Sequence, residues 1–153
     1  MSRGHEERLA GLGVDLPPPS RPVANYLSCK RAGSLLFVGG HGPVGPGGPI
    51  CGKVGGDVTL ERGREAARLT ALSMLATVRA ELGSLDRVAQ VVSVFGMVNC
   101  ASGFNRTPEV IDGCSDLLVA VFGDAGRHTR CAVGMAELPF DIAVEIEMVV
   151  EVD

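Results

Sequence analysis

The stretch Thr59–Asn99, TLERGREAARLTALSMLATVRAELGSLDRVAQVVSVFGMVN, changes from a helical to an extended pattern within a few residues, and that change decides the fold class. Thr59 offers a hydroxyl that can cap a helix N-terminus. Leu60, Ala67, Ala71, Met74, Val78 and Leu82 then recur at steps of three and four, with Gly63 in the remaining slot, so they share one buried stripe. Gly83 supplies the left-handed residue that ends the helix. From Arg87 to Asn99 the chain turns valine-rich and reads as one long strand, buried on both faces for much of its length.

The flanking segments repeat the alternation. Ser34–Gly40 is a short apolar strand ending on glycine, and the Gly/Pro-dense His41–Gly48 reads as a loop. A second helix starts with Thr107 as its cap, Pro108 in the first turn and Glu109 at the positive end of the helix dipole. Its buried stripe is Ile111, Cys114 or Ser115, Leu118 and Val121 or Phe122, and Gly123 stops it. Arg130–Leu138 and Ala143–Val152 close the chain as strands, and only Pro139–Ile142 joins them, which predicts an antiparallel pair. Strands separated by helices favour crossover connections and some parallel pairing. The expected architecture is an α+β fold, a mixed sheet with two helices on one face. Its other face, carrying Glu145, Glu147, Val149 and Glu151, is left for a second subunit.

Composition limits the function. The chain has 153 residues, 46% hydrophobic and 21% charged, enough for one domain that needs no disulfide or metal staple. Residues 1–22, with three consecutive prolines at 17–19, form an N-terminal arm before a single domain at 23–153. Fourteen Lys and Arg against eighteen Asp and Glu leave a net charge of −4 and no basic cluster, so nucleic acid is not an expected partner. No apolar run approaches the roughly 18 residues that would cross a bilayer, and no apolar segment of a secretory signal stands at the N-terminus. Five cysteines without a CxxC spacing fit a reduced thiol set and a cytoplasmic location.

Gly40–Gly45 matches GxGxxG, but prolines follow and no helix opens there, so a dinucleotide site is not expected. His128 and Cys131 make half a metal site at best, and no GxSxG elbow is present; no cofactor is expected. Arg130 is more informative. It opens a strand of small and apolar residues, where a desolvated guanidinium needs an anion. Two partners are open to it: Glu145 or Glu147 on a neighbouring strand, or the carboxylate of a substrate held by both arms of the guanidinium fork.

Arg130–Pro139, RCAVGMAELP, followed by Ala143–Glu147, AVEIE, resembles the signature region of the RidA/YjgF family, the reactive-intermediate imine/enamine deaminases also labelled L-PSP endoribonucleases. Pro22–Tyr26, Leu36–Val44, Gly52–Gly55 and Ala66–Leu69 are similar to further parts of that family, so the likeness runs over residues 22–152. The N-terminal arm and the segment around Asp112 resemble its longer subgroup. The resemblance implies a chorismate-mutase-like fold, a homotrimer with a site in each inter-subunit cleft, and hydrolysis of a 2-imino acid to a 2-keto acid and ammonia without a cofactor. It implies Arg130 as the carboxylate clamp, Glu145 beside the hydrolytic water, Tyr26 lining the cleft from a neighbouring chain, and Gly40 contacting ligand through its backbone. The chain departs from the family pattern at Gly39 (usually serine), at Asp112 (near a usual asparagine) and at Ala132, where a cysteine is common and Cys131 stands one place earlier. Asp112 would repel an anionic substrate if it faced the cleft. Two alternatives follow: a module that binds a small keto acid without turnover, and, inherited from the family label alone, an endoribonuclease.

Overall fold

Every second residue of Val144–Val152 (β7) is apolar, and the computed structural model, which describes residues 4–153, buries that set: Val144, Ile146, Met148, Val150 and Val152 are each 3% exposed or less. The first three residues of the expected arm lie outside the described residues. β7 is the central strand of a five-stranded sheet ordered β1–β2–β7–β5–β6, in which β1 is Cys29–Ala32, β2 Leu35–His41, β5 Val88–Asn99 and β6 Thr129–Met135. β7 runs antiparallel to β2 and β5, and β5 runs parallel to β6. The helices α2 (Leu60–Leu82) and α3 (Thr107–Phe122) pack on one face, so the fold is the expected mixed α+β arrangement.

The last two strands do not pair. β5 lies between them, because the chain leaving β6 crosses over the end of β5 before β7 begins. Cys100 donates its backbone N–H to Met135, and Asn99 donates to Ala143, which marks the crossing. β6 therefore stops at Met135 instead of Leu138, and Glu145 and Glu147 are not on a strand adjacent to Arg130.

The expected caps divide. Thr59 accepts from the Arg62 N–H at 3.1 Å, and Gly83 closes α2 with φ of 82°. Thr107 instead donates its hydroxyl to the Ala132 carbonyl at 2.9 Å, which ties the start of α3 to β6 and moves the cap position to Arg106. β5 is buried on one face only: Val91, Val94 and Val98 face the helices, while Phe95 points away from them and is 36% exposed. β1 carries Lys30 and Arg31 at the sheet edge, where charge discourages further pairing. A third helix, α1 (His5–Gly11), lies within the arm; its Leu9 is buried, and Glu6 pairs with Arg79 and accepts from the Leu85 N–H. The loop after β2 contains a small hairpin of β3 (Val44–Gly45) and β4 (Gly48–Pro49).

His41 belongs to β2 and is 4% exposed. Its Nδ1–H donates to the Gly39 carbonyl at 2.6 Å, leaving Nε2 to accept the Thr77 hydroxyl of α2 at 2.8 Å. Burial holds its pKa below the usual 6.5. The folded chain therefore favours the neutral ring, and the unfolded chain takes up the proton first as pH falls. This part of the stability is complete above about pH 6.5 and is lost on acidification through the folded-state value. Thermal melts between pH 7.5 and pH 5 are expected to show the parent losing more stability than His41→Gln; equal pH slopes would remove this role. Close approach of α2 and α3 is expected to fail when a methyl is added at Gly113, because a Cβ there would collide with the Arg64 carbonyl oxygen. Gly113→Ala should cost about 1–3 kcal/mol or more, read from the urea midpoint.

Candidate functional site

Two groups of side chains stand on opposite faces of the sheet. The first surrounds a bulge in β2, where the register with β7 shifts between Val38 and His41. The bulge is held from behind by His41 and from the front by the Gly39 N–H, which donates to the Ser28 carbonyl at 2.9 Å. That bond sets Ser28 beside Gly39, and Tyr26, two residues earlier, is 53% exposed. The Glu145 carboxylate occupies the space that a Cβ at Gly40 would need. Only glycine allows this contact between a carboxylate and bare backbone. Burial, and then the charge of Glu147, push the Glu145 carboxyl above its ordinary pKa. A shallow cleft of about 240 Å³ adjoins this group on the open face, floored by Phe37, Phe95 and Val149, with Gly39 and Glu147 in its lining.

The second group lies on the helix-covered face, at the β6 edge. Arg130 is in register with Val94 and points toward α3. Its Nη1 donates to Asp112 Oδ1 at 2.8 Å and to Ser115 Oγ at 3.2 Å. Asp112 and Ser115 are three apart on one helix, which aims both at the same strand. His128, two residues before Arg130, donates from Nδ1 to the Gly126 carbonyl at 2.6 Å, and its Nε2 shares a hydrogen bond of 2.9 Å with the Ser115 hydroxyl. One hydrogen-bonded chain thus runs from Gly126 through His128, Ser115 and Arg130 to Asp112.

The expected free guanidinium is not found: Arg130 is paired with a carboxylate of its own chain, and that carboxylate is neither Glu145 nor Glu147. The pairing is partial. Among the described residues, Arg130 Nε and Nη2 have no partner, and neither does Asp112 Oδ2. The side chains of Arg130 and Asp112 are 23% and 40% exposed. Ala132 lies on the Arg130 face, while Cys131 points to the opposite face, is exposed and follows the register of Phe95. His128 and Cys131 therefore do not converge, and no group able to hold a metal is found among the described residues. Cys114, beside Arg130, is fully buried, and its thiol is pushed up to about 12, so it is no nucleophile.

Within one chain, Gly40 and Glu145 come together beside Gly39, and Arg130 and Asp112 come together, but the two groups do not meet, and the Tyr26 hydroxyl accepts from the Val23 N–H instead of joining either. Ser115 and His128 were not read as site residues. Their signals were the i, i+3 spacing from Asp112 and the i, i+2 alternation with Arg130. A larger cleft, about 760 Å³ between Val14–Pro18, the 44–50 turn and α2, contains none of the expected residues. No helix of the described residues is long and apolar enough to cross a membrane.

Known proteins resemble this chain over nearly its whole length. Residues 6–152 match the family described as "YjgF/chorismate_mutase-like, putative endoribonuclease". Protein TCP17 of Trypanosoma cruzi is 42% identical over 147 residues, covering 95% of this chain and 92% of that protein. The crystal structure of Atu1372 from Agrobacterium tumefaciens is 41% identical with a TM-score of 0.90, covering 97% of this chain and 92% of that one. A solved protein from Shewanella oneidensis MR-1 is 30% identical with a TM-score of 0.94, covering 98% and 100%. The split between a glycine-lined carboxylate on one sheet face and an arginine on the other is thus carried by a chain that belongs to the YjgF/chorismate-mutase-like family.

Proposed function

We propose that this chain binds a small carboxylic metabolite of the 2-keto or 2-imino acid class in a crevice completed by a second subunit of a homotrimer. The observation that carries this reading is the half-used guanidinium of Arg130, whose side chain is 23% exposed and whose Nε and Nη2 edge is open to solvent and unpartnered among the described residues. An open guanidinium edge of this kind suits an anion that can take two parallel hydrogen bonds. Arg130 and Glu145 lie on opposite sheet faces, so one ligand can reach both only where two chains meet. The open face, with Leu27, Phe37, Phe95 and Val133 exposed, supplies the apolar surface for that meeting. In Escherichia coli TdcF, a fold neighbour at 22% identity and a TM-score of 0.60, serine is bound.

Pairing with Asp112 offsets much of the charge on Arg130, so the pull on a simple anion is weaker than that of a free arginine. This favours binding as the basic activity. Imine hydrolysis is a second reading, favoured by Glu145. A carboxyl whose pKa is raised holds its proton closer to neutral pH, as a group that hands a proton to leaving ammonia must. Water adds to the imine carbon, forming the C–O bond while the C=N electron pair takes a proton. Loss of ammonia from the resulting carbinolamine, with the oxygen releasing its proton, leaves the keto acid. Endoribonuclease action has the least support, since the chain has a net charge of −4 and no basic cluster for a phosphate backbone.

Titration calorimetry with pyruvate is expected to show binding that Arg130→Gln weakens by about tenfold or more. Equal affinity in parent and variant would remove the arginine from the site. Solution mass should approach three times 15.9 kDa. Ammonia release from imines generated in situ separates the two readings. Release that Glu145→Gln lowers by about 10²-fold or more, with pyruvate binding retained, supports hydrolysis. Pyruvate binding with no ammonia from any imine leaves the binding role alone.

A further inference from the structure

We propose that the cleft between the N-terminal arm and α2 is a second binding site, and that it takes a monocarboxylate with an extended apolar tail. The site shares no residue with the Arg130 or Glu145 groups and depends on neither reading above.

The cleft holds about 760 Å³, within the roughly 300–1,000 Å³ of sites that enclose small molecules. Its two walls come from separate parts of the chain, Pro17 and Pro18 on the arm and Pro46 and Pro49 in the β3–β4 hairpin. Proline rings are stiff and bring no backbone N–H, so these walls offer apolar surface and little to hydrogen-bond. The floor is α2. Arg62, Glu65, Leu69 and Leu72 follow one another at steps of three and four, on one side of that helix. The line is charged toward the start of the helix and apolar toward its middle. At 1.5 Å per residue it spans about 15 Å from Arg62 to Leu72.

Arg62 is the reason to expect an anionic head. It is the third residue of α2, where the positive end of the helix dipole opposes a cation. Its guanidinium has no partner among the described residues. The carboxylate that a solvated helix face would give it, Glu65, is engaged through both oxygens by Arg68. Helix stability therefore does not account for a cation at this place. With Arg68 and Glu65 cancelling, the start of α2 presents the cleft with one net positive charge. A carboxylate held there leaves its tail over Leu69, Leu72 and Ile50, against the outer edge of the core. The opposing charge in the lining is Asp15, exposed on the arm between Val14 and Leu16. Asp15 works against such a ligand, so its removal should strengthen binding.

The test is titration calorimetry of the full chain with sodium decanoate, kept below the concentration at which it forms micelles. One molecule should bind per chain. Octanoate, two methylenes shorter, should bind about tenfold more weakly, and acetate should give no measurable heat. Arg62→Gln should weaken decanoate about tenfold, and Asp15→Asn should strengthen it. Unchanged decanoate affinity in Arg62→Gln, with circular dichroism matching the parent, would overturn the head-group assignment. Acetate bound as tightly as decanoate would overturn the apolar tail. Absence of saturable decanoate binding by the parent would overturn the site whatever the variants do. Competition between pyruvate and decanoate would put both in one crevice and overturn a second site. Decanoate bound one to one where pyruvate does not bind at all would overturn the carboxylate reading above and leave this site standing.

Discussion

Helices cover only one face of the five-stranded sheet, and most features of this chain follow from that one-sidedness. The helix face is a continuous apolar core in which Leu36, Val94, Val98, Ile146 and Val150 meet α2 and α3. On the open face the alternation that buries those residues places Phe37, Phe95, Glu145 and Glu147 outward. Period-two alternation cannot bury both sets within one chain of this size. The functional side chains obey the same division. Arg130 falls in phase with the core side of β6, and Glu145 in phase with the open side of β7.

Glycine is what allows the layers to approach. A Cβ at Gly96 would stand 2.6 Å from the Ile111 side chain, so this gap in β5 is the seat of α3 on the sheet. Gly113 lets α3 contact the α2 backbone, and Gly63 accommodates Val54 and Val110. These three residues sit inside regular elements, where glycine gives up roughly 0.5–1 kcal/mol relative to alanine through backbone entropy. Overpacking at such contacts would cost more, about 1–3 kcal/mol each. Gly40 applies the same rule on the open face, where the neighbour it admits is a carboxylate.

Much of this was legible in the sequence, because the signals were local. The stripe from Leu60 to Leu82 with its Thr59 and Gly83 caps, and the alternation in β7, depend on spacing alone. The neighbours of β6 were not legible. A short Pro139–Ile142 connection implies a hairpin only if the chain turns back on itself, and here backbone bonds from Asn99 and Cys100 carry it over β5. Thr107 has the composition of a cap, yet its hydroxyl is taken by the Ala132 carbonyl, a partner 25 residues away that no local pattern encodes. His41 looked like a loop residue because glycine and proline surround it, and its role comes from Thr77 on a distant helix. Arg130 was identified as needing an anion, but the nearest one came from helix α3 and not from a strand, since α3 packs over the β6 edge.

The Arg130–Asp112 pair is best understood through its incompleteness. At these exposures a lone ion pair contributes little to stability, about 1 kcal/mol or less, since desolvation and side-chain entropy offset the attraction. A purely structural bridge would gain most from the bidentate geometry seen at Arg68–Glu65 and Arg106–Glu109, where both carboxylate oxygens and two guanidinium nitrogens are engaged. Arg130 instead spends one nitrogen on two acceptors, Asp112 and Ser115, and keeps its other edge out of the bond. The serine is in turn held by a histidine whose ring is fixed by a backbone carbonyl. Three residues, Ser115, His128 and Gly126, therefore orient a pair whose own attraction is modest. Such an arrangement does little for stability beyond what the simpler bidentate pairs elsewhere on the surface achieve, but it holds a positive and a negative group at fixed separation, with one edge of each turned away from the other.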